Sequence, residues 1–357
     1  MKHIRVLHIS ETFVTGVYTY IQSICAFTAQ NPKIKTSVIY SPNREGTDKL
    51  DFKNDFSSTT KLIPISMQRE VSAKEDYKSL QKLKKYIKEI KPDVIHLHSS
   101  KAGVLGRIAS KSYPKAKVYY TPNGYSFLRE DISPKKQLFF KWIEKYVTRI
   151  YGGTTIACGD TEYEYAQLLG KAIMVRNGID LSELAHIKVE PSLKLNSIVT
   201  LGRISAQKNP ELFNGIALTF PEIQFIWIGD GELKQELTAK NIEVTGWLDR
   251  KDALNLLAKH DVYMQTSLWE GLPFTIIEAM ALQKPIIATN VVGNKDAVSH
   301  KENGFLCQST NDFEKAINQL KSESQLLKIY GKQSQKLAHE KFDRNKNFEK
   351  LVKNYIK

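Results

Sequence analysis

Short apolar runs alternate along the first half of the chain with longer stretches of helical spacing. The pattern predicts strands at Ile4–Ile9, Thr36–Tyr40, Lys61–Ile65, Asp93–His98, Lys117–Thr121, Thr154–Cys158 and Ala172–Val175. Between them it predicts helices at Val17–Ala29, Ser72–Ile90, Ala102–Ser112, Pro134–Tyr151 and Glu162–Leu169. Strand and helix in strict turn imply a parallel sheet, because parallel strands need crossovers and the crossovers bury both faces. A polar passage of weak periodicity, Asn177–Asn196, reads as a linker. The rhythm restarts at Ser197–Leu201 and runs through Pro210–Thr219, Ile223–Ile228, Leu233–Ala239, Ile242–Val244, Lys251–Ala258, Asp261–Gln265, Pro273–Leu282, Pro285–Ala288 and Gly304–Cys307. Helical patterns fill the rest. The fold class read from this is α/β, two Rossmann-like doubly wound domains facing across a cleft. Expected boundaries are 1–185 and 186–340, with 341–357 as an amphipathic helix that returns to the first domain.

One stretch carries most of the candidate chemistry. Ser267–Ala281 reads S-L-W-E-G-L-P-F-T-I-I-E-A-M-A, turn residues first and helix after, with Pro273 expected at the first helical position. The N–H groups of Phe274, Thr275 and Ile276 are then free at a helix N-terminus, where the dipole adds to their attraction for an anion. Glu270 and Glu278 flank that terminus. A carboxylate accepts two hydrogen bonds from a vicinal diol, so a ligand with phosphates and neighbouring hydroxyls suits the place. Taken singly, either glutamate also reads as a surface partner of the dipole.

Upstream, Arg203 and Lys208 stand five residues apart across a strand-to-helix turn, G-R-I-S-A-Q-K-N-P. A planar guanidinium and a mobile ammonium so placed suit a diphosphate. The glycine turns at Gly229-Asp230-Gly231 and Thr245-Gly246-Trp247 are candidates to shape a base pocket, and Val291–Asn294 is expected to face the Ser267–Ala281 stretch. In the first domain, Gly16 follows the first strand alone, without the three spaced glycines of a dinucleotide fingerprint. It reads equally as a turn glycine or as a point of close ligand approach. His98 ends a predicted strand at the edge where open α/β sheets bind ligands, whereas His96 reads as a core residue. The loop Thr121–Phe127 carries two aromatics and is expected to line the same cleft. In Pro134–Tyr151 the stripe Phe139, Trp142, Ile143, Tyr146, Val147 and Ile150 reads as core. The stripe Lys141, Lys145 and Arg149, with the lysine-rich segment Lys74–Lys91, is suited to anionic lipid headgroups.

Composition narrows the classes. A chain of 357 residues, 41% of them hydrophobic, exceeds one ordinary core and supports two domains. Three cysteines at unrelated spacings give neither a disulfide framework nor a zinc motif, and no Asp-x-Asp occurs, so no metal site is expected. A net charge of +14 implies anionic partners, but no nucleic-acid module is recognisable. The N-terminal apolar run is broken before signal-peptide length, and no run approaches the ~20 residues of a spanning helix. A cytoplasmic protein, peripheral on the inner membrane face, is the expectation.

The segment E-G-L-P-F-T-I-I-E-A-M-A, with G-R-I-S-A-Q-K-N-P, W-I-G-D-G-E-L and N-G-I-D at the linker, resembles the family 4 retaining glycosyltransferases of GT-B architecture over essentially the whole length. The resemblance implies that the first domain binds acceptor and the second a nucleotide diphosphate sugar, expected to be a UDP-sugar. It implies Arg203 and Lys208 on the donor diphosphate, Glu278 on the ribose and Glu270 on the transferred sugar. It also implies the amides of Phe274, Thr275 and Ile276 near the phosphates or sugar, His98 near the reacting carbon and Gly16 under the diphosphate. No cofactor and no catalytic metal are implied. The run H-S-S-K-A-G-V-L-G-R-I-A resembles bacterial members that build capsule, exopolysaccharide or O-antigen units on a polyprenyl diphosphate, which makes a polyprenyl-diphosphate-linked saccharide the expected acceptor. The chain departs from many members in having Thr15 beside Gly16, where they have two glycines, and Asn123 where they have histidine. A nucleotide-sugar epimerase of the same architecture and a non-catalytic two-domain sugar-binding protein stay open at this point.

Overall fold

The structure is a computed structural model and describes residues 3–43, 47, 50–68, 70–129, 132–189 and 193–357. The chain divides into two compact units, one of Met1–Asn177 with Asn345–Lys357 and one of Gly178–Arg344. The first crossing lies earlier than the expected 185/186 boundary. Ile179 donates its N–H to the Phe342 carbonyl at 3.0 Å and accepts from the Arg344 N–H at 3.0 Å, which holds the start of the polar passage in the second unit. That passage also contains a short helix, Leu181–Leu184, capped by Asp180; Glu190, Pro191 and Ser192 of the expected linker lie outside the described residues.

In the first unit, β1 (Ile4–Ser10), β2 (Ile34–Tyr40), β3 (Lys61–Pro64), β4 (Val94–His98), β5 (Lys117–Thr121), β6 (Thr154–Ala157) and β7 (Ala172–Met174) form a wholly parallel sheet in the order β3-β2-β1-β4-β5-β6-β7. The chain winds outward from β1 to one edge and then from β4 to the other. The switch point is therefore the gap between β1 and β4, the usual ligand edge of such sheets. Leu7, Ile9, Ile95, Leu97 and Tyr120 face the helices Ala73–Ile90 and Ser100–Ser110 in one buried core. The second of these helices lies very close to the sheet because Gly103 and Gly106 face it: added Cβ atoms would meet the Tyr120 ring at 2.3 Å and Leu97 Cδ2 at 2.2 Å. The opposite face is covered in part by the helix Arg344–Ile356, whose Phe348 packs edge-on to Tyr20 and Phe27.

The helix Pro134–Tyr151 forms as its spacing predicts, but the burial of its apolar stripe does not. Its buried residues are Glu144, Val147 and Thr148, whereas Phe139, Trp142, Tyr146 and Ile150 are exposed. The reason is a buried ion pair. Arg107 Nη2 lies 3.4 Å from Glu144 Oε2, Tyr120 donates to Glu144 Oε1 at 2.7 Å, and Arg107 donates to Thr148 Oγ1 at 2.8 Å. Satisfying those groups fixes the rotation of the helix and turns the aromatics outward.

The second unit contains β8 (Ser197–Leu201), β9 (Gln224–Ile228), β10 (Ile242–Val244), β11 (Val262–Gln265), β12 (Ile286–Thr289) and β13 (Gly304–Cys307), parallel in the order β10-β9-β8-β11-β12-β13. Its switch point lies between β8 and β11. Its core gathers Phe213, Phe225, Trp227, Met264, Ile287, Phe313 and Leu320. The expected element Leu233–Ala239 is reduced to a single turn of tight helix, Lys234–Glu236. Both expected doubly wound sheets are thus present. The three cysteines are free and buried.

Candidate active site

The switch point of the second sheet brings together residues far apart in sequence. Lys208, in the turn after β8, donates to Glu270 Oε1, in the loop after β11, at 2.7 Å. Lys208 runs along Gly202, whose missing side chain leaves room: a Cβ there would lie 3.3 Å from Lys208 Cε. Both partners are largely enclosed, with side-chain exposures of 17% and 9%. Burial works against the ammonium charge, but the Glu270 carboxylate and the Tyr263 hydroxyl outweigh it and raise the Lys208 pKa above its ordinary value.

Glu270 is held from three sides. Besides Lys208 it accepts from Ser267 Oγ at 2.8 Å and from Gln265 Nε2 at 3.3 Å. Gln265 ends β11 and is fully enclosed; it also donates to Asn294 Oδ1 at 3.1 Å and accepts from Tyr263 and Thr275 hydroxyls. Asn294 Nδ2 reaches the Thr289 carbonyl at 3.1 Å, which ties the end of β12 into the same network. The loops after β8 and β11 are also laced backbone to backbone, Leu268 N–H to the Gln207 carbonyl at 2.8 Å. A fully bonded network of this kind holds a carboxylate and an ammonium in one geometry.

The helix of the central stretch begins one residue later than expected, at Phe274. Pro273 is its cap, with φ −73° and ψ 125°, extended and not helical. The Pro273 carbonyl already accepts the Ile277 N–H at 3.4 Å, so the orphan donors are those of Phe274, Thr275 and Ile276. Pro273 has no side-chain oxygen to cap them. Glu278 lies in the second turn, buried, and its Oε1 accepts from Arg250 Nη1; Arg250 Nε reaches Glu183 Oε2 at 3.5 Å. Burial pushes the Glu278 carboxyl above the ordinary carboxylate range, Arg250 draws it back, and Glu183 adds to the rise. Arg203 points elsewhere: half-exposed, it pairs with Glu232 at 2.9 Å, and its guanidinium is drawn toward the turn after β9.

Gly293 lets the loop after β12 approach the loop that carries Glu270. Its φ is +87°, and a Cβ would come within 1.5 Å of the Gly271 carbonyl. Gly293→Ala is expected to destabilise the protein by about 2 kcal/mol or more, because the new methyl both strains the backbone and drives the Glu270 loop away. Thermal unfolding checks the first effect, and faster hydrogen exchange in the loop around Glu270 checks the second.

In the first unit His98 ends β4, but its ring is not presented at the edge. It is fully buried, its Nε2 is 3.0 Å from His8 Nδ1, and it lies beside Tyr20. His96 is likewise enclosed, bonded to Tyr355 at 2.5 Å and Thr121 at 2.8 Å. Parallel pairing of β1 and β4 therefore gathers His8, His96 and His98 within 4.8 Å, a cluster that sequence spacing did not reveal. Both nitrogens of His96 have partners and His8 Nδ1 pairs with His98 Nε2, whereas His8 Nε2 and His98 Nδ1 are buried without one. Gly16 lies in the first turn of the helix Thr15–Ala29, next to the first switch point. There Glu11, almost fully buried, accepts from Ser99 Oγ at 2.8 Å and from the Ala102 N–H at 3.0 Å. The loop aromatics Tyr125 and Phe127 do not line an opening; they stack at 4.7 Å inside the core.

Val291–Asn294 faces the Ser267–Ala281 stretch as expected, with Gly293 against Gly271, but sequence reading missed Arg250, Gln265 and Glu11. One signal was available for Arg250: it opens the helix Arg250–Ala258, where a cation opposes the helix dipole and so needs a separate reason.

Among the described residues, no helix is long and apolar enough to cross a membrane. A family profile described as "Glycosyl transferases group 1" matches residues 183–337, and one described as "Glycosyl transferase 4-like" matches residues 14–158. The UDP-Gal:alpha-D-GlcNAc-diphosphoundecaprenol alpha-1,3-galactosyltransferase of Escherichia coli is 31% identical over 359 residues, spanning 91% of this chain and 90% of that protein. A 41.2 kDa protein in the cps region of Klebsiella pneumoniae is 29% identical, spanning 85% of each chain. The structure of Anabaena HepE in complex with UDP and glucose superposes with a TM-score of 0.76 at 18% identity, over 99% of both chains. With the Escherichia coli enzyme related along nine-tenths of its length and a profile matching within each unit, the chain belongs to the group 1 glycosyl transferases and is a glycosyltransferase.

Proposed function

We propose that the protein transfers a sugar from a UDP-sugar to a polyprenyl-diphosphate-linked saccharide in cell-surface polysaccharide synthesis, at the inner face of the membrane. The observation that carries this is the Lys208–Glu270 pair set beside three free N–H groups at one switch point. The ammonium and the amides of Phe274, Thr275 and Ile276 bind the donor diphosphate, and Arg203 swings from Glu232 to join them. Glu278 accepts the ribose hydroxyls, and Glu270 those of the transferred sugar. The bond from the anomeric carbon to the diphosphate oxygen breaks while the acceptor oxygen bonds to the same face, and the acceptor proton passes to the departing diphosphate. Configuration is retained. Lys208 and the helix terminus supply the positive potential that the leaving group needs, so neither a metal ion nor a cofactor is required. His98, enclosed and bonded to His8, belongs on this reading to the interior of the first unit. The acceptor named by the Escherichia coli relative and the UDP and glucose held by HepE support the choice of partners.

The test is a panel of UDP-, GDP- and ADP-sugars, assayed by calorimetry and then for transfer to a polyprenyl-linked acceptor with the product anomer read by NMR. An inverted product, or an epimer formed from UDP-sugar without acceptor and no transfer, overturns the reading. Arg250→Met offers a finer check. Removing the guanidinium lets burial raise the Glu278 carboxyl further, so the acid limb of donor binding moves to higher pH than in the wild type. A pH series of donor affinity reads the shift.

A further inference from the structure

The helix Pro134–Tyr151 buries Val147 and packs Phe140 on the core, yet turns most of its large apolar side chains outward. Its inner face is fastened by Glu144 and Thr148 to Arg107, whose guanidinium also lies 4.1 Å over the Tyr120 ring. Its outer face bears Leu138, Phe139, Trp142, Tyr146 and Ile150, between 48% and 71% exposed. A spacing of four places Leu138, Trp142, Tyr146 and Ile150 in a single row, and the Trp142 and Tyr146 rings stack at 5.1 Å. Lys141, Lys145 and Arg149 form a second row of the same pitch, offset by one residue, so that it runs alongside the first. Apolar rows of that extent, rimmed by charge, mark a contact surface.

The chemistry of the face selects its occupant. Tryptophan and tyrosine favour the boundary between headgroups and acyl chains, and a parallel row of cations matches anionic headgroups. Exposed lysines of Ala73–Ile90 lie on the same side of the sheet, since that helix packs on Ser100–Ser110 and the latter on Pro134–Tyr151. We propose that Pro134–Tyr151 is an interfacial docking helix that lays its Leu138–Ile150 row into an anionic phospholipid bilayer, with Lys141, Lys145 and Arg149 against the headgroups. The inference deepens the proposed reading of a lipid-linked acceptor and rests on it.

Full-length protein is floated with phosphatidylcholine vesicles, with and without phosphatidylglycerol. The wild type is expected to float with the anionic vesicles, and Trp142→Ser/Tyr146→Ser to partition about tenfold or more weakly. Lys141→Gln/Lys145→Gln/Arg149→Gln is expected to lose the preference for phosphatidylglycerol. Brominated lipid should quench fluorescence in the wild type more than in Trp142→Phe. Transfer to a water-soluble, short-chain acceptor remains unchanged in all these variants, which shows that they are folded. The proposal is overturned if the wild type does not float, or if Trp142→Ser/Tyr146→Ser floats equally well. It is also overturned if that variant loses only a self-association visible by light scattering, since the face then joins two copies. Flotation without transfer to any lipid-linked acceptor sinks the enzymatic reading and leaves the docking face standing.

Discussion

Replacing Lys208 by alanine lowers kcat/KM for sugar transfer by about three orders of magnitude, the scale on which loss of one preorganised donor acts on developing charge. The lysine is the strongest candidate because its charge is secured: burial opposes it, yet Glu270 and Tyr263 hold its pKa above the ordinary lysine value. It is therefore a full cation at any pH where the enzyme works. The same substitution leaves the Glu270 carboxylate facing only Ser267 and Gln265, both neutral donors. Stability should fall as well, by about 3 kcal/mol, since breaking an enclosed pair strands the remaining charge. Lys208→Arg keeps the charge but not the fit, because the side chain lies along Gly202 in a slot suited to a narrow stem. Steady-state kinetics and urea unfolding measured on the same preparations separate the two losses. A folded Lys208→Ala protein with kcat/KM within about tenfold of wild type would remove Lys208 from the chemistry.

Acid destabilises the protein well before its carboxylates account for the loss. His8, His96 and His98 are buried beside Tyr20, Tyr119, Tyr355 and Thr121, none of which carries a charge to offset a proton. Burial lowers His8 from 6.5 to about 3, and pushes His96 and His98 well below the usual range. In the unfolded chain these groups take up protons as pH falls through 6.5; in the folded protein they resist until far lower. The unfolded state then binds more protons, so stability is complete above 6.5 and declines as pH falls toward 3. For His8 alone the loss at pH 5 is about 2 kcal/mol. Urea unfolding at pH 7.5 and 5 tests this, with His8→Gln as the comparison that should flatten the dependence. Equal wild-type stability at the two pH values would show that the cluster is hydrated or already protonated.

The parts legible in the sequence were those written in local pattern. Period and turn chemistry located the strands and the longer helices within a residue or two, though not short ones such as Phe52–Asp55 and Leu181–Leu184, and placed Lys208, Glu270 and Glu278 on the elements that carry them. What local pattern cannot encode is pairing between elements. Gln265 reads as the polar end of a strand until β12 brings Asn294 beside it. His98 sits at a strand end as its position suggests, yet only the register of β1 against β4 reveals that His8 lies against its ring. The helix Pro134–Tyr151 shows the same limit from the other side. Spacing located the helix, but its apolar stripe is split, Val147 inward and Phe139, Trp142, Tyr146 and Ile150 outward, because the rotation depends on Arg107, a residue on another helix.

The helix Arg344–Ile356 has a consequence for the order in which the protein is made. Tyr355 closes over His96, and Tyr119 donates to the Asn354 carbonyl at 2.7 Å, so one face of the first sheet is covered in part by residues that follow the whole second unit. On the ribosome the second unit completes its strands while the first still has a face exposed to water. The first sheet thus gains this cover only after the whole second unit has been made, and a chain stopped before residue 345 is expected to leave that apolar face open to association.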